Sequence, residues 1–453
     1  MTETELHYDK MTKTPLAKLI ISLGIPTTIS MLVTNIYNMV DTYFVGTLGE
    51  SQQAATGILF TLQAIIQAIA FMLGQGSGSL VSKELADKNT KKASEYVSTG
   101  FFTGAIFGTV LMIFGLIFLT PFMRLMGSTE TILPYAKQYG FCVLIMCPAT
   151  VCSFILNNNL RYEGKAFYAM IGLVTGGILN ILGDYMLIRV IHLGVLGAGI
   201  STAVSQFISF LILLYFYEKM AQSKIRPRFF SKDPSVCRTI CKVGFPALIR
   251  QGLSSVSSGL LNNLTRPYGD AAIAAMSVVN RFSAFVMCVG LGVGQGFQPV
   301  AAFNYQAKEY KRVKKGLLVT MMVGLVCMLC LAVPGFIFAE KVVYFFQRSD
   351  EVVQIGTFAL KCACVGMLGL PLSIPINMLY QSTCQPGVAS FLSLLRSGLL
   401  FIPALIISTN LWGLTGIQIS QPFADIATGL VSIPFIVAFL RKRFDEPADG
   451  KVK

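Results

Sequence analysis

The sequence predicts an all-α polytopic membrane protein, with twelve transmembrane helices in two six-helix repeats of the same orientation around a central cleft. Three observations predict it. Apolar residues make up 54% of the chain and charged ones only 13%, whereas a soluble domain carries roughly a quarter charged residues. Apolar runs of about twenty residues, each long enough to cross a bilayer, recur from Leu16 to Leu440. Short motifs return in the second half of the chain at a constant spacing. The alternating apolar and polar pattern of barrel strands is missing.

The apolar runs place spans at 16–43, 53–75, 93–119, 132–156, 166–189, 197–217, 240–264, 272–296, 313–338, 353–380, 388–409 and 413–440. Basic residues orient them. Of the 36 Lys and Arg, four lie deep within spans (Arg250, Arg281, Lys361 and Arg396) and six at or beyond the span ends on one side: Arg124, Lys137, Arg189, Arg266, Lys341 and Arg348. The remaining twenty-six fall on the other side, which the positive-inside rule makes cytoplasmic. Both termini are therefore expected in the cytoplasm, in a multi-pass protein of the cytoplasmic (inner) membrane. The net charge of +14 reads as orientation signal, not as a nucleic-acid surface. The first apolar run begins only at Leu16, after Glu3, Glu5 and Asp9, so no cleavable signal peptide is expected.

The organisation that follows is a cytoplasmic tail at 1–15, an N-lobe of spans 1–6 at 16–217, a basic cytoplasmic linker at 218–239, a C-lobe of spans 7–12 at 240–440 and a second tail at 441–453. LGIP at 23–26 returns as VGFP at 243–246, GQG at 74–76 as GQG at 294–296, and KKA at 91–93 as KRV at 311–313. All three pairs share an offset of 220 residues. Gly164 is matched with Gly387, and Gly194 with Gly197 to Gly413 with Gly416. An even number of spans per repeat gives the halves one orientation, an arrangement met in many secondary transporters.

Charges inside the membrane are costly and usually functional. Asp41, Asn180, Asp184 and Thr202 fall at similar depth in the first half, joined by the polar Asn35, Tyr37 and Asn38 of span 1 and by Tyr139 of span 4. Polar glue between helices is ordinarily built from Ser, Thr and Asn. Two carboxylates with no cation nearby in their half point instead to a group that takes and releases a proton, or to hard oxygen ligands for a small cation. The second half has Leu261 at the position repeating Asp41. Its charges are Arg250, Arg281, Lys361 and Arg396, and Asp425 is expected to pair with Lys361. Pro26 and Pro246, at repeated positions in spans 1 and 7, each remove a helix hydrogen bond.

Other chemistry is short of parts. Eleven cysteines include no paired CxxC set of metal type, and two histidines cannot build a histidine-rich site. A phosphate-binding GxxxxGK loop fails at Asn159 before Gly164–Lys165 and at Asp445 before Gly450–Lys451. No catalytic residues, no enzymatic activity, no cofactor and no nucleotide or nucleic-acid partner are expected. Energy must then come from an ion gradient or a separate subunit.

IPTTISMLVTNIYNMVDTYFVG in span 1, GQG at 74–76, NILGD at 180–184, LGVLGAGISTAVSQ at 193–206 and VGFP at 243–246 together resemble the multidrug and toxic compound extrusion family, across nearly the whole chain. The resemblance implies antiport of small organic cations or amphipathic drugs against protons or sodium, by a monomer in the lipid bilayer. It maps ion or proton coupling to Asp41, Asn180, Asp184 and Thr202, which would also ligate sodium if sodium is the coupling ion. Substrate contacts fall to Asn35, Tyr37, Asn38, Tyr139, Arg250 and Arg281. A subgroup of the family uses acids in spans 7 and 10, where this chain has Arg250 and Lys361. A lipid-linked oligosaccharide flippase of related fold, and a channel or sensory membrane protein, are the alternative readings.

Overall fold

The computed structural model describes residues 3–442, so most of the tail at 441–453 lies outside the described residues. Twelve helical spans follow one another. Spans 1 to 3 are Leu16–Gly46, Glu50–Ala86 and Thr90–Ile117. Span 4 is the pair Leu133–Ile145 and Cys147–Tyr162, bent by 53°. Spans 5 and 6 are Ala166–Val190 and Gly194–Met220. Spans 7 to 9 are Pro234–Thr265, Asp270–Gln306 and Tyr310–Ile337. Spans 10 to 12 are Asp350–Ser382, Pro386–Trp412 and Leu414–Arg441. Among the described residues, ten are long and apolar enough to cross a membrane and the bent pair makes an eleventh. Span 7 completes the set by repeat position. Its polar composition, SSVSSG and NN within LSSVSSGLLNNLT, keeps it off the apolar list.

The repeat extends to backbone detail. Short helices Leu119–Leu125 and Ala339–Phe346 start 220 residues apart. Left-handed residues recur at the same spacing, Lys88 with Lys308 and Gly164 with Cys384. The counterpart of Gly164 is thus Cys384, which takes the left-handed turn despite its side chain. Gly387, the sequence match, lies inside the helix Pro386–Leu394.

Spans 2 and 8 run about ten residues past their apolar stretches, to Ala86 and Gln306. The GQG motifs explain the continuation, because small residues there let another helix approach closely. A Cβ on Gly76 would meet the Ile240 carbonyl oxygen at 2.1 Å, and one on Gly244 the Met72 carbonyl oxygen at 1.8 Å. The repeat-related crossing joins Gly24 to Gly296. Each LGIP-type motif therefore packs on the GQG motif of the other sequence half.

The contacts divide the chain into two compact units accordingly. One comprises residues 25–81 and 90–256 and holds most of spans 1–6 with the first part of span 7. The other comprises residues 1–24, 82–89 and 257–453. In the latter the polar start of the chain forms a helix, Glu3–Lys13, with His7 and Tyr8 edge-on to Phe303. Asn304 Nδ2 donates to the Met11 carbonyl at 3.1 Å and Arg312 Nη2 to that of Thr14 at 2.8 Å.

Candidate functional site

Four helices of the unit 25–81 and 90–256 bring the sequence-predicted polar groups together. Span 6 approaches span 4 at Gly199, where a Cβ would stand 3.3 Å from Tyr139 Cα. Asp41, Tyr139, Asn180, Asp184 and Thr202 are all buried. The Tyr139 hydroxyl donates to Asp41 Oδ2 at 2.7 Å and shares a 3.1 Å hydrogen bond with Thr202 Oγ1. Asn180 Nδ2 donates to Thr202 Oγ1 at 3.1 Å. One chain of hydrogen bonds thus runs Asp41–Tyr139–Thr202–Asn180 across spans 1, 4, 6 and 5.

Asp184 closes the group one helical turn from Asn180. Its carboxylate is within electrostatic reach of Asp41 and Tyr139. Neither of its oxygens forms a hydrogen bond of good geometry, although the Ser201 hydroxyl lies alongside. Asp41 Oδ1 and Asn180 Oδ1 are likewise buried without a partner. Buried oxygens left bare are costly, so the arrangement has acceptor capacity for a proton or a small cation. Two carboxylates, an amide and hydroxyls are hard donors, suited to an alkali cation rather than a transition metal. Directly after Asp184, residues Tyr185–Val190 form a π-helical turn, an irregularity that recurs at functional sites.

A cleft opens beside this network, with about 420 Å³ of atom-free space including its mouth. Tyr37, Gln63, Gln67, Met146, Phe154 and Gln206 line it, and Thr202 belongs to both network and cleft. Gln206 donates to the Tyr37 hydroxyl at 3.3 Å. Of the expected substrate contacts, Tyr37 lines the cleft, Tyr139 belongs to the network beside it, and Asn35 and Asn38 are half-buried on the span that carries Asp41. Arg250 is not with them. It donates to Gln75 at 3.2 Å and faces Arg161, at the end of span 4 remote from Tyr139. Arg281 is an exposed residue of the other unit. Ser201, Gln206 and the glutamines of span 2 went unpredicted. Gln206, four residues from Thr202 and so on its helix face, was the one signal available.

The expected Lys361–Asp425 pair does not form. Asp425 Oδ1 accepts instead from Arg396 Nε at 2.7 Å and Gln421 Nε2 at 2.8 Å. Lys361 is exposed, with Nζ 5.7 Å from the Phe336 ring centre. Equal depth does not fix helix rotation, and span 12 turns this carboxylate toward span 11.

Fold and site define a multi-pass membrane protein with an internal six-span repeat and a buried acidic network in its first half. The chain belongs to the MatE family, the multidrug and toxic compound extrusion family its motifs resemble: the family model matches residues 26–186 and again 246–407. It is 27% identical to multidrug export protein MepA of Staphylococcus saprophyticus, over 98% of each chain. Against multidrug export protein MepA of Staphylococcus aureus the identity is 26%, again over 98% of each. The crystal structure of MATE in complex with MaL6 shares the fold, with a TM-score of 0.90 at 23% identity, over 98% of this chain and 100% of that one.

Proposed function

We propose that this protein is a multidrug exporter that works as an antiporter, expelling small organic compounds, chiefly amphipathic cations, while protons enter. Both termini lie in the cytoplasm in this reading, and no covalent chemistry is involved. The observation that carries it is the pair Asp41 and Asp184, buried with bare oxygens beside a cleft that reaches Thr202. The relatives named as multidrug export proteins support the export part of this reading.

A carboxylate in low dielectric is poorly stable as a lone charge. A cation in the cleft and a proton on the acid relieve the same charge, so each weakens the other's hold. Protons entering from outside neutralise the network and release the drug; drug loading from the cytoplasm displaces the protons inward. One proton moving down 100 mV supplies about 2.3 kcal/mol, and a tenfold concentration gradient adds about 1.4 kcal/mol. Tyr37, Phe154 and Met146 offer the drug aromatic and polarizable surface, where a cation–π contact contributes about 0.5–2 kcal/mol.

The test is proton release from purified protein on addition of tetraphenylphosphonium. Release should be clear in the wild type and lost in the Asp41→Asn, Asp184→Asn double variant. Undiminished release in that variant rejects the mechanism. The oxygen-rich donor set favours one further reading, sodium in place of the proton. Separate pH and sodium gradients across proteoliposomes decide between the two.

A further inference from the structure

The second charged site in the membrane is Arg396 with Asp425. Arg396 lies about three residues from the middle of span 11 and Asp425 about as close to the middle of span 12. Such depth is where an unneutralised charge costs most. The pairing here is one-sided. Arg396 uses only Nε, toward Asp425 Oδ1, and Gln421 donates to that same oxygen. Among the described residues, neither Nη1 nor Nη2 makes a hydrogen bond. The Arg396 side chain is 24% exposed while that of Asp425 is 6% exposed. The carboxylate thus anchors the guanidinium from behind and leaves its outer edge facing open space.

Polar residues lie close by. Ser257 of span 7 donates its hydroxyl to the Ser397 carbonyl at 2.5 Å, so span 7 lies against Arg396. Beyond Ser257 the exposed residues of span 7 include Ser258, Gly259, Asn262 and Asn263. A row of this composition is costly against hydrocarbon. Arg396 also sits in a π-helical turn, Leu395–Leu400. The other π-helical turn among the described residues directly follows Asp184. Both irregular turns thus adjoin a membrane charge, as irregular turns at functional sites do.

We infer that Arg396, held by Asp425 and Gln421, is a binding site for the carboxylate group of zwitterionic or anionic amphiphiles. The free Nη1 and Nη2 edge matches the two oxygens of a carboxylate, and such paired charge-assisted bonds are strong and geometrically selective. A purely structural Arg–Asp pair would serve the fold equally well with its outer edge covered. The site lies outside the acidic network and does not depend on how that network couples to ions.

The experiment uses two fluorescent dyes that differ only in one group: rhodamine 110, which bears a free carboxylate, and rhodamine 123, its methyl ester. Their affinities are measured on the purified full-length chain. Arg396→Gln should weaken the carboxylate dye by about tenfold and leave the ester unchanged. That variant strands Asp425 and could unfold, so the charge-neutral double variant Arg396→Gln, Asp425→Asn is measured beside it, with the same selective loss expected. Equal losses for both dyes, or none for either, overturn the site. Proton release through Asp41 and Asp184 is read separately, so failure here leaves the antiport reading standing, and the reverse holds too.

Discussion

The Tyr139 hydroxyl donates a 2.7 Å hydrogen bond to Oδ2 of Asp41, 98 residues earlier in the chain. The same hydroxyl meets Thr202, whose oxygen in turn accepts from Asn180. Tyr139 is therefore the junction through which the acid of span 1 reaches spans 5 and 6. Hydrogen bonds to charged groups are each worth about 1.5–3 kcal/mol.

Tyr139→Phe keeps the ring and removes only that junction. Packing should be preserved, since the ring itself is almost fully buried among neighbours it would retain. Coupled uptake of a cationic dye into inverted vesicles should fall by about tenfold, the equivalent of about 1.4 kcal/mol. An unchanged rate would show that Asp41 acts without its link to Thr202.

Asp184 has no such support, and its two oxygens are the barest in the network. Asp184→Asn is close to isosteric and should leave the protein folded while abolishing proton-driven export. Asp41→Asn should weaken export strongly without ending it. Adding Leu261→Asp at the repeat position should restore nothing, because Asn180 and Thr202 belong to the unit of Asp41 and not to that of residue 261. Dye export driven by an imposed pH gradient in proteoliposomes checks all three, and rescue by Leu261→Asp would contradict the one-sided assignment.

Composition and depth made much of this legible. Twenty-residue apolar runs announce spans because hydrocarbon demands them, and an Asp within one is conspicuous because it is expensive. Depth along a helix is readable from sequence, so Asp41, Asn180, Asp184, Thr202 and Tyr139 grouped correctly. Rotation about the helix axis is not readable in an all-apolar span. Lys361 and Asp425, at equal depth, therefore do not pair, because span 12 turns Asp425 to Arg396, and Arg250 meets Gln75 rather than the acidic network. The helical stretches beyond GQG were hidden for a different reason. After the first GQG the residues are mostly small or polar, SGSLVSKELA, and after the second Gln298, Pro299 and Asn304 interrupt an apolar run, so neither stretch extends the twenty-residue apolar signal.

The crossing of Gly76 and Gly244 yields a stability prediction with an internal control. A Cβ on Gly244 would overlap the Met72 carbonyl oxygen, and backbone cannot swing aside as a side chain can. Gly244→Ala and Gly76→Ala should each destabilise by about 1–3 kcal/mol or more. Gly252, in the same helix, has nothing within 4 Å of its would-be Cβ. Gly252→Ala should be neutral or gain about 0.5–1 kcal/mol from helix propensity. Thermal unfolding in detergent measures all three, and equal effects at Gly244 and Gly252 would refute the crossing as the cause.

Glu163, just past the end of span 4, supports a prediction about pH. It accepts from the backbone N–H of Gln222 at 2.6 Å and of Ser223 at 3.3 Å, and from the hydroxyls of Tyr217 and Ser223. This carboxyl fastens the start of the basic linker, whose next residues are held by Ser94, Ser98 and Thr99 of span 3. Burial pushes the Glu163 carboxyl above its ordinary value of 4.5, and the hydrogen bonds from Ser223, Gln222 and Tyr217 oppose that shift without cancelling it. In the window between the ordinary and the raised value, the folded protein holds a proton that the unfolded chain has lost. Stability from this group is therefore greatest below about 4.5 and declines as pH rises through the raised value. Glu163→Gln keeps an acceptor for the linker and removes the titration. The unfolding midpoint of the wild type in detergent, followed from pH 4.5 upward, should fall more steeply than that of Glu163→Gln. Parallel profiles would mean that burial does not dominate at Glu163. Glu163→Ala goes further, leaving the donors of Gln222 and Ser223 without their acceptor at a cost of about 1–3 kcal/mol each, and should expose the linker to limited proteolysis near Arg226 and Arg228.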